Sequence, residues 1–194
     1  MSGISRGRWG RASWLCLAAA ACGGRPGGRS DVSPSPTRTV ALAAAIVLET
    51  AGPPASDTSV SFTTGQPRVI VLRHGPPENI VFAELRFPPS AFADSGVPVR
   101  VDVRPRPGVY GLEVATSLPL RTGATLTFKY PRYFLAPARA RAVYGSDALY
   151  ERALVIGQVL PEGQLSLLPS TRPASDNLQA ALPAPGSYLV AAPQ

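Results

Sequence analysis

The chain has 194 residues, a formal net charge of +7, 22 prolines and 18 glycines, and only two cysteines and one histidine. That length suits one core rather than two, the Pro and Gly content implies many short elements without a collagen period, and so few thiols and imidazoles exclude a Cys/His zinc site, which needs about four ligands. Nor does the charge announce a nucleic-acid binder: from Asp57 onward 13 basic side chains meet 10 acidic ones, without the clustered cations and stacking rings of such a surface.

From the N-terminus, Met1 to Ser13 is basic, with Arg6, Arg8 and Arg11, and Trp14 to Ala21 is a brief apolar run closed by Cys22-Gly23-Gly24. The run falls well short of the roughly 20 residues a membrane-spanning helix needs, so it reads as a secretion signal. Residues 23–39 hold almost no side chain worth burying and read as a tether. Val40 to Leu48, VALAAAIVL, follows. A first strand, a short helix and a docked piece of tether all stay open for it: alanines favour helix, while Gly52-Pro53-Pro54 stops the segment early.

From Val60 the pattern turns to strands. Val60 to Thr63, Arg68 to Leu72 and Ile80 to Phe87 are β-rich runs. In Val97 to Arg104 four valines alternate with proline and charged residues, so one face is apolar, and Pro98 belongs at the strand's start or at an edge. Val109 to Ala115 returns after a Pro/Gly turn. Thr125, Thr127 and Lys129 then alternate with Leu126, Phe128 and Tyr130. Tyr133 to Ala142 is less periodic, and Tyr150 to Leu160 is apolar almost throughout, as in a strand buried on both faces. Pro161-Glu162-Gly163 reads as a hairpin turn into Gln164 to Leu168, and Leu178 to Leu182 and Gly186 to Ala191 close the chain. About eight short strands without a helix of ordinary length predict an all-β fold, a single antiparallel β-sandwich. The expected organisation is a signal peptide over 1–21, a tether with a short apolar segment over 22–56, and the sandwich over 57–194.

No reaction is legible. His74, in Arg73-His74-Gly75-Pro76-Pro77, reads as a surface turn, and no Gly-x-Ser-x-Gly elbow accompanies it. Asp147, Glu151 and Glu162, or Glu78 and Glu84, supply carboxylates, but nothing sets them at the separation glycoside chemistry needs. The expectation is a non-enzymatic protein with no cofactor and no metal site. Most aromatic residues sit in strand patterns and read as core. The exception is Tyr130-Pro131-Arg132-Tyr133-Phe134, where Tyr130, Arg132, Tyr133 and Phe134 are nominated as a contact surface. A carbohydrate- or cell-wall-binding module, the alternative reading, requires a row of exposed rings there.

The two cysteines lie six positions apart, nearly two turns along a helix and beyond disulfide reach. The basic head, the short apolar stretch and Ala19-Ala20-Ala21-Cys22 resemble a bacterial lipoprotein signal peptide. The resemblance implies that Cys22 receives lipid on its sulfur and becomes the new terminus, while Cys16 leaves with the signal. Neutral Gly23 then implies an outer-membrane, periplasm-facing protein held to the membrane through Cys22 and working with an envelope protein partner. The β region resembles the Ig-like sandwich module of netrin receptors, ankyrins and tight-junction scaffolds. The matching residues are Phe87-Pro88-Pro89-Ser90-Ala91-Phe92 with Val97 to Val101, then Gly123 to Tyr130, then Asp176 to Leu182 with Gly186 to Val190. Such modules bind or space other proteins and are generally not enzymes.

Overall fold

The structure is a computed structural model that describes residues 38–194. Cys22, the expected signal peptide and the expected tether up to residue 37 lie outside the described residues. In chain order the elements are β1 (Arg38–Ala41), β2 (Ala45–Val47), β3 (Glu49–Thr50), β4 (Thr58–Thr63), β5 (Arg68–Arg73), β6 (Val81–Phe87), β7 (Pro98–Pro105), β8 (Gly111–Thr116), β9 (Thr125–Lys129), β10 (Phe134–Leu135), α1 (Ala138–Tyr144), α2 (Asp147–Ala153), β11 (Val155–Leu160), β12 (Gln164–Leu167), β13 (Ser170–Thr171), β14 (Asn177–Ala181) and β15 (Gly186–Pro193). The fold is predominantly β with some helix.

Two sheets account for most strands. The larger runs β1-β12-β11-β15-β8-β7-β4, with β2 also on β15, and the smaller runs β13-β14-β9-β6-β5. Every ladder is antiparallel. The alternation in β7 turns Val99, Val101 and Val103 inward against Ile70, Leu72, Leu85, Leu126 and Phe128 of the smaller sheet, all in one apolar cluster. Pro98, which lacks a donor, is the first residue of its strand.

Val40 to Leu48 forms neither one strand nor one helix: it holds the end of β1, a 3-10 turn over Leu42–Ala44 and the short strand β2. Its pairing rolls up one end of the larger sheet. Ala191 of β15 pairs with Val155 of β11 and with Val47 of β2, so β2 lies on the opposite side of β15 from β11. β1, meanwhile, borders β12. A flat sheet would set β1 and β2 about 19 Å apart, four strand spacings, yet only Leu42–Ala44, one 3-10 turn, join them. The strands β1, β12, β11, β15 and β2 must therefore curl toward closure.

Inside the curl lies a second apolar cluster built on Ala45, Leu165, Leu167, Leu189 and Ala191. The intervening residues Ile46, Ile156, Tyr188, Val190 and Ala192 face the main core. Both faces of these strands are thus buried, which explains their continuous apolar runs. Gly157 is required here: a Cβ would fall 2.6 Å from Leu165 Cγ.

Two departures from the sequence reading concern boundaries. The sheets begin at Arg38, upstream of the boundary at 57. Residues Tyr150–Ala153 are helical, and the strand starts at Val155. The helices are only seven residues long. Gly145, at φ 76°, ends α1 in the left-handed region, and Ser146 starts α2 by accepting from the Leu149 amide at 3.2 Å. Arg172 reaches the end of α2, donating to the carbonyls of Glu151 at 2.5 Å and Leu154 at 3.2 Å. Tyr150 drops from α2 into the core and donates to the Ile46 carbonyl at 3.2 Å.

Candidate functional site

The four residues nominated as a contact surface do not share one environment. Tyr130 is fully buried; its ring centroid lies 6.2 Å from that of Tyr110 and its hydroxyl accepts from Arg172 Nη1 at 2.6 Å. Phe134 is half-buried between Tyr130 and Tyr150. Tyr133, also half-buried, lies over Gly52, where a Cβ would fall 2.4 Å from its ring. Only Arg132 stands out into solvent, and it is held along one edge of its guanidinium: Nε and Nη2 donate to the two oxygens of Glu78 at 3.0 and 2.7 Å. The Tyr133 hydroxyl donates to the same carboxylate at 2.8 Å. The segment is therefore a hinge between core and surface and presents no row of exposed rings.

Behind Tyr133 lies a residue that the sequence reading placed on the surface. His74 is 1% exposed. Its ring is enclosed edge-to-face by Tyr133, Phe82 and Tyr110, with centroids 4.7, 5.2 and 6.1 Å away. Its Nδ1 lies 2.7 Å from the Pro53 carbonyl oxygen. Because a carbonyl only accepts, Nδ1 carries a proton and donates it to Pro53. Among the described residues Nε2 has no partner. Pro53, Pro54, Pro105 and Pro107 wall a cleft of about 190 Å³ that reaches this ring. A larger open groove of about 340 Å³ runs over β7, β8 and β15 past Asp102, Glu113 and Ser187. There Asp102 is already engaged by Arg100 Nε at 3.0 Å.

No family model, curated protein or solved structure matches the chain.

Three of the five carboxylates considered for chemistry are spread among separate arginines. Glu78 meets Arg132, Asp147 meets Arg141 at 2.7 Å, and Glu84 pairs with Arg86. Hydrogen bonds from Arg132 and Tyr133 hold the Glu78 carboxyl down at about 2, so the corner stays assembled as pH falls until that range is approached. Among the described residues no three His, Cys, Asp or Glu side chains gather as a metal site. The corner buries an imidazole with one unpartnered nitrogen beside an exposed, clamped arginine.

The tyrosines give a pH signature. Burial pushes Tyr110, Tyr130 and Tyr188 up to about 12 and raises Tyr150 and Tyr144. Tyr133 is raised by its bond to Glu78. The native state thus keeps phenol protons that an unfolded chain releases near pH 10, so stability is full below pH 10 and falls as pH rises toward 12. Tyrosinate absorbance at 295 nm should stay low through pH 10 and rise together with unfolding followed by far-UV circular dichroism. A full tyrosinate step near pH 10 in a folded protein would contradict the burial of these rings.

Proposed function

We propose that the chain is a lipid-anchored cell-envelope protein whose β region is an Ig-like sandwich serving as a non-enzymatic interaction module. In this reading residues 1–21 are removed, Cys22 carries lipid in the outer membrane, and the domain faces the periplasm. Residues 23–37 span at most about 50 Å when extended, which sets the reach of the domain from the bilayer surface. The meeting of both sheets in one core supports the sandwich, and the inward packing of Tyr130 and Phe134 favours a protein-binding module over a sugar platform.

The observation that carries the interaction role is the free edge at β5. Among the described residues this strand has β6 on one side and no strand on the other. Its outward valines, Val69 and Val71, are 44% and 40% exposed, flanked by exposed Arg68 and Arg73. An unpaired strand with outward apolar side chains invites strand addition by a partner. A second copy is disfavoured, because antiparallel self-pairing would bring Arg68 toward Arg73. The partner strand is instead apolar and flanked by acids.

Val69→Lys/Val71→Lys tests this, since lysine on an edge blocks pairing while leaving the core untouched. After cross-linking in its own membranes, the native protein should carry a partner that the variant loses at least about tenfold with an unchanged melting temperature. Equal recovery from both would contradict strand addition at β5.

A further inference from the structure

We propose that β4 is the seam of a homodimer, in which two copies of this chain pair the strand with itself and join their larger sheets into one. The inference goes beyond the strand addition placed on β5 of the smaller sheet and does not rest on it. Among the described residues β4 ends the larger sheet, with β7 on one side and no strand on the other. Edge strands are ordinarily guarded against other chains by charge, proline or a bulge. This one has none of them: Thr58–Thr63 reads TSVSFT and pairs with β7 in unbroken register. Its inward side chains supply a second observation. Val99, Val101 and Val103, which face inward from β7, are fully buried, whereas Val60 and Phe62 are only half-buried although they pack on the same core. Backbone groups and apolar surface are thus left open along one line.

The hydrogen-bond pattern fixes how a second copy meets this edge. Arg100 lies opposite Ser61, and both of its backbone groups turn the other way: its amide donates to Ser117 Oγ and its carbonyl accepts from the Ser117 amide, each at 2.9 Å. Thr64 instead donates its amide to the Val97 carbonyl at 2.9 Å, toward the β7 side. Alternate residues of a strand point the same way. Val60 and Phe62 therefore face β7, while Ser59, Ser61 and Thr63 turn their N–H and C=O groups to the open edge. Residues paired across an antiparallel ladder also share a face of the sheet. A two-fold axis through Ser61 meets both conditions: Ser61 pairs with its own copy, Ser59 pairs with Thr63 of the second copy, and each such pair exchanges two hydrogen bonds. Between them, on the inward face, Val60 meets Phe62 of the second copy and covers the half-buried apolar surface. No charged residue lies between Thr58 and Gln66 to oppose the pairing, whereas at β5 the same operation brings Arg68 toward Arg73.

The test follows the full chain, kept in mild detergent, by sedimentation velocity from about 1 to 200 µM. It should pass from monomer to dimer within that range. Ser61→Lys sets like charges face to face on the axis, so it should weaken association at least about tenfold. Its melting temperature should stay unchanged, because the side chain is exposed. Ser61→Glu alone should weaken association equally, and an equimolar mixture of the two variants should recover it. Under mild oxidation Ser61→Cys should cross-link, since residues so paired have Cα atoms about 5.5 Å apart, within disulfide reach. Ser59→Cys, which meets Thr63 of the second copy rather than itself, should cross-link no more than the native chain. A monomer throughout the range, a dimer untouched by Ser61→Lys, no recovery in the mixture, or equal cross-linking of Ser61→Cys and Ser59→Cys overturns the proposal.

Discussion

A chain that starts at Asp57 is expected not to fold, whereas one that starts at Pro34 folds like the whole. The reason lies in residues 38–50. Ile46 and Leu48 are 3% and 0% exposed. The Leu48 amide donates to the Val190 carbonyl at 2.8 Å, and its own carbonyl accepts from Tyr110 at 2.9 Å. Removing the segment also bares the β12 edge and opens the curl around Leu165 and Leu189. The single substitution Leu48→Ala already costs about 2–5 kcal/mol, against about 5–15 kcal/mol for a whole domain. Deletion of β1, β2 and β3 takes away several such side chains and three ladders, so the loss exceeds what a domain holds. Circular dichroism and thermal melting of the two chains decide the matter. A cooperative melt of the 57–194 chain at the temperature of the 34–194 chain would contradict the role given to this segment.

This segment also shows where sequence reading stops. β7 is legible because one of its faces meets water, and the alternation of Val99, Val101 and Val103 with Arg100 and Asp102 records that. In β2, β11 and β15 both faces are buried, one by the main core and one by the curl. The period-two signal is erased, leaving runs such as VALAAAIVL that suit helix and strand equally. The helices escape notice for another reason: at seven residues each they are too short for a 3.6-residue period to stand out. Gly145-Ser146-Asp147, a stop followed by a cap, is the local signal that marks them.

The candidate site was half visible. The Tyr130–Phe134 segment does reach the surface, but composition cannot divide Tyr130, which points into the core, from Arg132, which does not. Glu78, which organises Arg132 and Tyr133, lies 54 and 55 positions away from them. Likewise, Arg73-His74-Gly75-Pro76-Pro77 has the composition of an exposed turn. What buries His74 comes from Phe82, eight positions on, and from Pro53, Tyr110 and Tyr133, which are distant in sequence. A long-range enclosure of this kind leaves no local pattern.

The largest biological effect is expected at Cys22. One acyl chain binds a membrane only marginally, whereas two or three at one residue anchor a soluble domain firmly. Among the described residues no helix is long and apolar enough to cross a membrane; in the proposed reading attachment rests on lipid at Cys22. Cys22→Ser should therefore shift the protein from the membrane fraction to the soluble fraction without changing its melting temperature. The most direct test is intact-mass spectrometry of the protein extracted from its membrane. The account predicts a chain beginning at Cys22 and carrying added acyl mass on that residue; a chain beginning at Met1, or an unmodified Cys22, would contradict it.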